Sequence, residues 1–157
     1  MSAWSIPALA ALLALLLLVA AWGDLRTRTI PNGLNAMIAL LAPLWWWAHA
    51  LPLWPDVAIQ IGAALLVFAI FAAAFAAGLM GGGDVKMVAA LSLWLAPFAI
   101  AQMLVVMALA GGVLTIVVAA EHRLRRRDGQ PEVPYGMAIA FAGLWLIAND
   151  ILTSIGH

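Results

Sequence analysis

Apolar residues in this chain come in runs of roughly twenty, separated by short stretches that carry the glycines, prolines and charges. Runs of that length predict helices that cross a bilayer, because lipid offers backbone groups no partner outside their own segment. Strands are set aside on the same ground. The pattern predicts six helices: about Trp4 to Trp22, Leu34 to Leu51, Val57 to Leu79, Val85 to Leu95 (ending before Pro97), Phe98 to Ala120, and Tyr135 to Leu152. The fourth is short for a full span. The first carries no side-chain charge before Asp24. It is also longer than the apolar core of a signal peptide, so it reads as a retained helix. The expectation is an all-α membrane protein, a polytopic bundle of about six transmembrane helices forming one domain over residues 1–157.

Composition sharpens this picture. Hydrophobic residues make up 67% of the chain and charged residues 9%, and the mean hydropathy is +1.10. Soluble domains are about half apolar. The spans use almost the whole chain, which leaves no room for a folded soluble domain. Net charge is zero, so nucleic acid is not an expected partner. Cysteine is absent, which removes disulfides, thiol nucleophiles and thiolate zinc sites.

Charge placement predicts orientation. Arg26, Arg28, Lys86, Arg123, Arg125, Arg126 and Arg127 all follow helices one, three and five, and none follows helix two or four. Basic residues stay on the cytoplasmic side. Both termini are therefore expected outside, with Asp24 and Asp84 at the cytoplasmic face. Trp45, Trp46, Trp47 and Trp54, with Pro52 and Pro55, gather at the turn between helices two and three and read as an aromatic belt at the outer interface. The small residues of Phe71 to Gly78 and Ala108 to Gly112 suit close helix packing in lipid. No internal repeat is evident.

Two acids carry the candidate chemistry. Gly81-Gly82-Gly83 frees the backbone to bend and places Asp84 at a helix start. There, unpaired N–H groups favour a carboxylate, and ordinary capping is the competing explanation. Asp24 closes helix one, where the macrodipole disfavours a negative charge. Capping of its own helix therefore explains it poorly, and a solvated ion pair with Arg26 or Arg28 is the bland reading. Two carboxylates a few ångströms apart cannot easily both ionise. One stays protonated as an acid while the other activates water, the arrangement of an aspartic protease, which needs no metal or other cofactor.

Other chemistries fit worse. His49, His122 and His157 lie far apart and no His-Glu-x-x-His is present, which disfavours a metalloprotease. No Gly-x-Ser-x-Gly is present either, so a serine hydrolase lacks its parts. Asp150, near the outer end of helix six, falls on the wrong side to join the pair.

Three regions carry a family resemblance: Asp24 within Asp-Leu-Arg-Thr-Arg-Thr-Ile-Pro-Asn, Gly81-Gly82-Gly83-Asp84-Val85-Lys86, and Val133-Pro134-Tyr135-Gly136-Met137-Ala138-Ile139-Ala140. In order and content they resemble the signature regions of the type IV prepilin peptidases, membrane aspartic endopeptidases of the Gly-x-Gly-Asp kind. The resemblance implies Asp24 and Asp84 as catalytic residues in a bacterial inner membrane. It implies pilin-like precursors as substrates, cut at the cytoplasmic edge between a short basic leader and an apolar helix. Supporting roles fall to Gly81, Gly83, Lys86, Arg26, Pro31, Asn32, Pro134, Tyr135 and Gly136. Larger members carry a cysteine-bearing zinc loop and methylate the new terminus. This chain has neither the cysteines nor the loop, and is similar to the compact form that serves Flp-type pili. The arginine-rich segment from Glu121 to Glu132 reads as a stop-transfer signal, with contact to anionic lipid as a second role. The rival readings are a small proton-coupled transporter using the same acids as relays, and an inactive scaffold of a pilus assembly system.

Overall fold

A computed structural model describes residues 5–124 and 133–155, with side chains as far as Asn149. All regular structure among these residues is helical: α1 (Ser5–Thr27), α2 (Asn32–Ala48), α3 (Ala58–Ala76), α4 (Gly82–Ser92), α5 (Pro97–Leu124) and α6 (Tyr135–Ile155). A π-helical turn, Leu53–Val57, leads into α3. Three stretches are long and apolar enough to cross a membrane, Ser5–Thr27, Leu53–Ala76 and Pro97–Leu124, and α6 is apolar over Tyr135–Asn149. Six transmembrane helices were expected; six α-helices are present among the described residues, three of them in stretches long and apolar enough to span. The fourth, at 11 residues, is about 16 Å long and reaches only half way across a hydrocarbon core of about 30 Å.

Helix ends depart from the hydropathy pattern for an identifiable reason. Hydropathy marks where a segment stops being apolar, and hydrogen bonding decides where it stops being helical. So α1 continues past Trp22 to Thr27. It stops where Arg28 takes the left-handed conformation (φ 55°), its N–H bonding the Asp24 carbonyl at 3.0 Å. Conversely, α3 stops at Ala76, short of Leu79. Gly78 adopts φ 73°; its N–H bonds the Phe75 carbonyl and the Leu79 N–H bonds that of Ala74, a Schellman termination. Gly78 is therefore a helix stop rather than a packing residue, and a Cβ there would meet nothing within 4 Å. Gly111 does pack closely, since its Cβ would lie 3.1 Å from the Tyr135 ring.

The short α4 sits at the centre. Val85, Met87, Val88, Ala90, Leu91 and Ser92 are all buried, more than one face of a helix can supply. Gly143 of α6 brings three helices into contact, because a Cβ there would come 2.8 Å from methyl groups of both Leu17 and Leu91. Tryptophans lock the far end of α4. The Trp46 indole donates to the Leu93 carbonyl at 2.7 Å and the Trp94 indole to the Ile38 carbonyl at 2.9 Å. The expected aromatic belt is thus narrower than the sequence implied. Trp47 and Trp54 face outward, whereas Trp45 packs beside His49 and Trp94 and Trp46 is tied to Leu93.

Candidate active site

The last turn of α1 and the first turns of α2, α4 and α6 meet at one end of the bundle, and both aspartates lie there. Asp24 is only 5% exposed. Its Oδ2 accepts the Met137 backbone N–H at 3.3 Å, and the Gly136 N–H also bonds its carboxylate. These are donors of the first turn of α6, which lack a partner four residues back within the helix; that of Met137 is shared with the Pro134 carbonyl. The charge that its own helix disfavours is thus received by the start of another. This closeness depends on Gly136, where a Cβ would lie 2.8 Å from Asp24 Oδ2 and 2.8 Å from Ile30 Cδ1.

Asp84 occupies the third position of α4, after Gly81 as N-cap in extended conformation. Gly81 has no side chain to cap with. Instead the Asp84 carboxylate reaches back to the Gly81 N–H, the acidic half of a capping box. A Cβ on Gly81 would stand 3.0 Å from Asp84 Oδ2. Gly82 lies against the Phe75 ring and Gly83 against Ile30, with close approaches of 3.3 Å in each case. Asp84 lies outside the three long apolar stretches. Burial, and then the charge of Asp24, push its carboxyl from 3.8 up to about 6, against the Gly81 N–H, which favours the ionised form.

The remaining sequence-derived residues divide. Pro31 is the extended N-cap of α2, its carbonyl accepting the N–H groups of Leu34 and Asn35. Asn32 Oδ1 accepts Lys86 Nζ at 2.8 Å, so Lys86 braces α4 against α2. Pro134 accepts the Met137 N–H at its carbonyl, 3.2 Å, shaping the turn that presents α6 to Asp24. Two residues point elsewhere. The Arg26 guanidinium lies 4.4 Å over the Trp22 ring, a cation–π contact, and Arg28 rather than Arg26 is the cation that acts on Asp24. The Tyr135 ring packs on Gly111 of α5, so it supports α6 rather than lining the acids.

Asn35 was missed. It is 4% exposed and its Nδ2 donates to the Gly83 carbonyl at 3.0 Å. Its only sequence signal is an amide inside an apolar run. Beside it, a groove of about 390 Å³ runs between α2, α3 and α4, lined by Asn35, Ala39, Ile61, Phe68, Lys86 and Ala90 among others. His49 lines a separate cavity of about 480 Å³ with Trp94 and Gln60. Among the described residues no three potential metal ligands come together. Arg125 to Arg127 and His157 lie outside the described residues, as does the Asp150 side chain.

The arrangement sets a carboxylate bonded by backbone donors at the same end of the bundle as a second carboxyl that burial and a like charge make more readily protonated than usual. That is the apparatus for activating water without a covalent intermediate. Comparison with known protein families gives an independent result: the model of the type IV leader peptidase family matches residues 11–116. The chain belongs to that family. The matched region contains both Asp24 and Asp84 and ends before α6. Neither the curated proteins nor the solved structures yield a match.

Proposed function

We propose that the protein is a membrane aspartic endopeptidase that removes the leader of type IV pilin-like precursors, most closely those of the Flp type. The observation that carries this reading is that the charge of Asp24, at the end of one helix, acts on the carboxyl of Asp84, at the start of another, in a chain of the leader peptidase family. Asp24, bonded by the first turn of α6 and faced by Arg28, is the base that takes a proton from water. Asp84 gives its proton to the substrate carbonyl oxygen; the proton held by Asp24 then passes to the departing amine as the gem-diol collapses and returns a proton to Asp84. No metal enters these steps.

The sequence supports a cytoplasmic site in a bacterial inner membrane, because every basic residue follows helix one, three or five. Both termini then lie outside. A site at the end of the bundle, beside an apolar groove between α2, α3 and α4, suits a substrate whose scissile bond is held at the interface by its own apolar helix. A relay transporter would place its acids near the midplane, and the helix ends that carry Asp24 and Asp84 do not favour that. The test is cleavage of a candidate precursor by the purified protein in lipid nanodiscs, read by mass. Leader removal by the wild type, lost in Asp24→Asn and Asp84→Asn, supports the reading. Full processing by either variant removes it.

A further inference from the structure

Asn35 is buried at 4% exposure and uses only half of its hydrogen-bonding capacity. Its amide nitrogen donates to the Gly83 carbonyl, whereas Oδ1 is buried with no partner. An orphaned buried acceptor costs more than one neutral hydrogen bond contributes, so an apolar residue of the same volume would favour the fold at least as well. What the amide supplies is geometry. Its partner is the peptide immediately before Asp84, in the first turn of α4.

A second tie runs parallel to it. Asn32 and Asn35 are one turn apart on α2, and Gly83 and Lys86 are one turn apart on α4. Lys86 donates to Asn32 and Asn35 to Gly83, so two bonds join matching turns. Gly83 is also pressed against the Ile30 backbone, its Cβ position lying 3.4 Å from the Ile30 oxygen. Sliding or rotating α4 would break these contacts and would turn the Asp84 carboxyl away from Asp24.

We propose that Asn35 is a positioning residue, which sets the first turn of α4 against α2 so that Asp84 faces Asp24. This rests on the proposed function for its kinetic consequence, though not for its geometry. The experiment uses the full chain in nanodiscs with Asn35→Leu, which keeps the branch at Cγ without the polar atoms, and Asn35→Ala. The expected result is a fall in kcat of roughly 10²-fold, the scale of a misplacement of about 1 Å. KM should stay within about twofold, and the thermal midpoint of Asn35→Leu should be no lower than that of wild type. In an arm independent of activity, the Asp84 carboxyl, followed by ¹³C NMR against pH, should shift its midpoint in both variants. Wild-type kcat with an unshifted Asp84 midpoint overturns the proposal. Loss of the folded state in both variants overturns it as well, since Asn35 would then be a stability residue. If wild type itself cleaves no precursor, the proposed function fails while the titration arm still decides this inference.

Discussion

Asp24 and Met137 are joined by a hydrogen bond of 3.3 Å across 113 residues of chain, and that bond changes the meaning of the acid. At the C-terminal end of α1 a carboxylate faces the negative pole of its own helix. Turned toward the first turn of α6, it faces the positive pole of another. The contact gives the carboxylate a backbone partner that the end of its own helix cannot supply.

The acids should be separable from the scaffold. Asp24→Asn and Asp84→Asn preserve shape and remove charge. Each should lower leader cleavage by roughly 10³-fold or more, while both proteins purify from membranes with helicity equal to wild type by circular dichroism. A variant retaining a tenth of wild-type activity would be incompatible with the proposed division of labour.

Gly136 offers a steric test. A methyl group there would meet Asp24 and Ile30 at 2.8 Å, so Gly136→Ala should displace the carboxylate and reduce cleavage by roughly 10²-fold. Gly112→Ala, where a Cβ meets nothing within 4 Å, should leave the cleavage rate at the wild-type level. Equal rates in the two variants would show that the approach of α6 to Asp24 is dispensable.

Titration of Asp84 should report its neighbour. Its folded value, about 6 against 3.8, means that the native state binds this proton more tightly than the unfolded chain does. The protonated form thus favours the fold, and this contribution fades as pH rises from about 4 to about 6. Asp24→Asn removes the like charge but not the burial, the larger cause. The Asp84 midpoint should therefore fall, yet remain above 3.8, in a ¹³C carboxyl titration. An unchanged midpoint would mean that the two acids do not sense each other.

Helix termination by Gly78 is open to a stability measurement. With φ at 73° and no neighbour within 4 Å, Gly78→Ala should cost about 1 kcal/mol through backbone conformation alone. A lowered thermal midpoint in detergent, with cleavage retained once folded, is the expected outcome.

Much of the framework was legible in the sequence because lipid makes a strict demand: long apolar runs become helices, and six α-helices lie among the described residues, though only three stretches are long and apolar enough to span. The two acids stood out because charge is rare in such a chain. Other features had no local signature. The partner of Asn35 is a backbone carbonyl on another helix, which no spacing reveals. Arg26 and Arg28 both offered themselves as counter-ions of Asp24, but the helical turn that continues past Trp22 carries Arg26 onto the Trp22 ring and leaves Arg28 to act on the acid. Gly78 sat in a small-residue stretch and resembled packing material, whereas its sign of φ makes it a stop. The half-length α4 followed from the pattern; its place in the core did not, because burial over most of its circumference, all but the Lys86 face, belongs to the assembled bundle.

Ile30 stands between the two glycines that serve the acids, with Gly83 against its backbone and Cβ on one side and Gly136 against its Cδ1 on the other. One aliphatic side chain thus fills the space between the first turn of α4 and the first turn of α6. Position 30 is consequently a wedge: valine there would thin it by one carbon and leucine would reshape it at constant carbon count, without adding or removing a donor or acceptor.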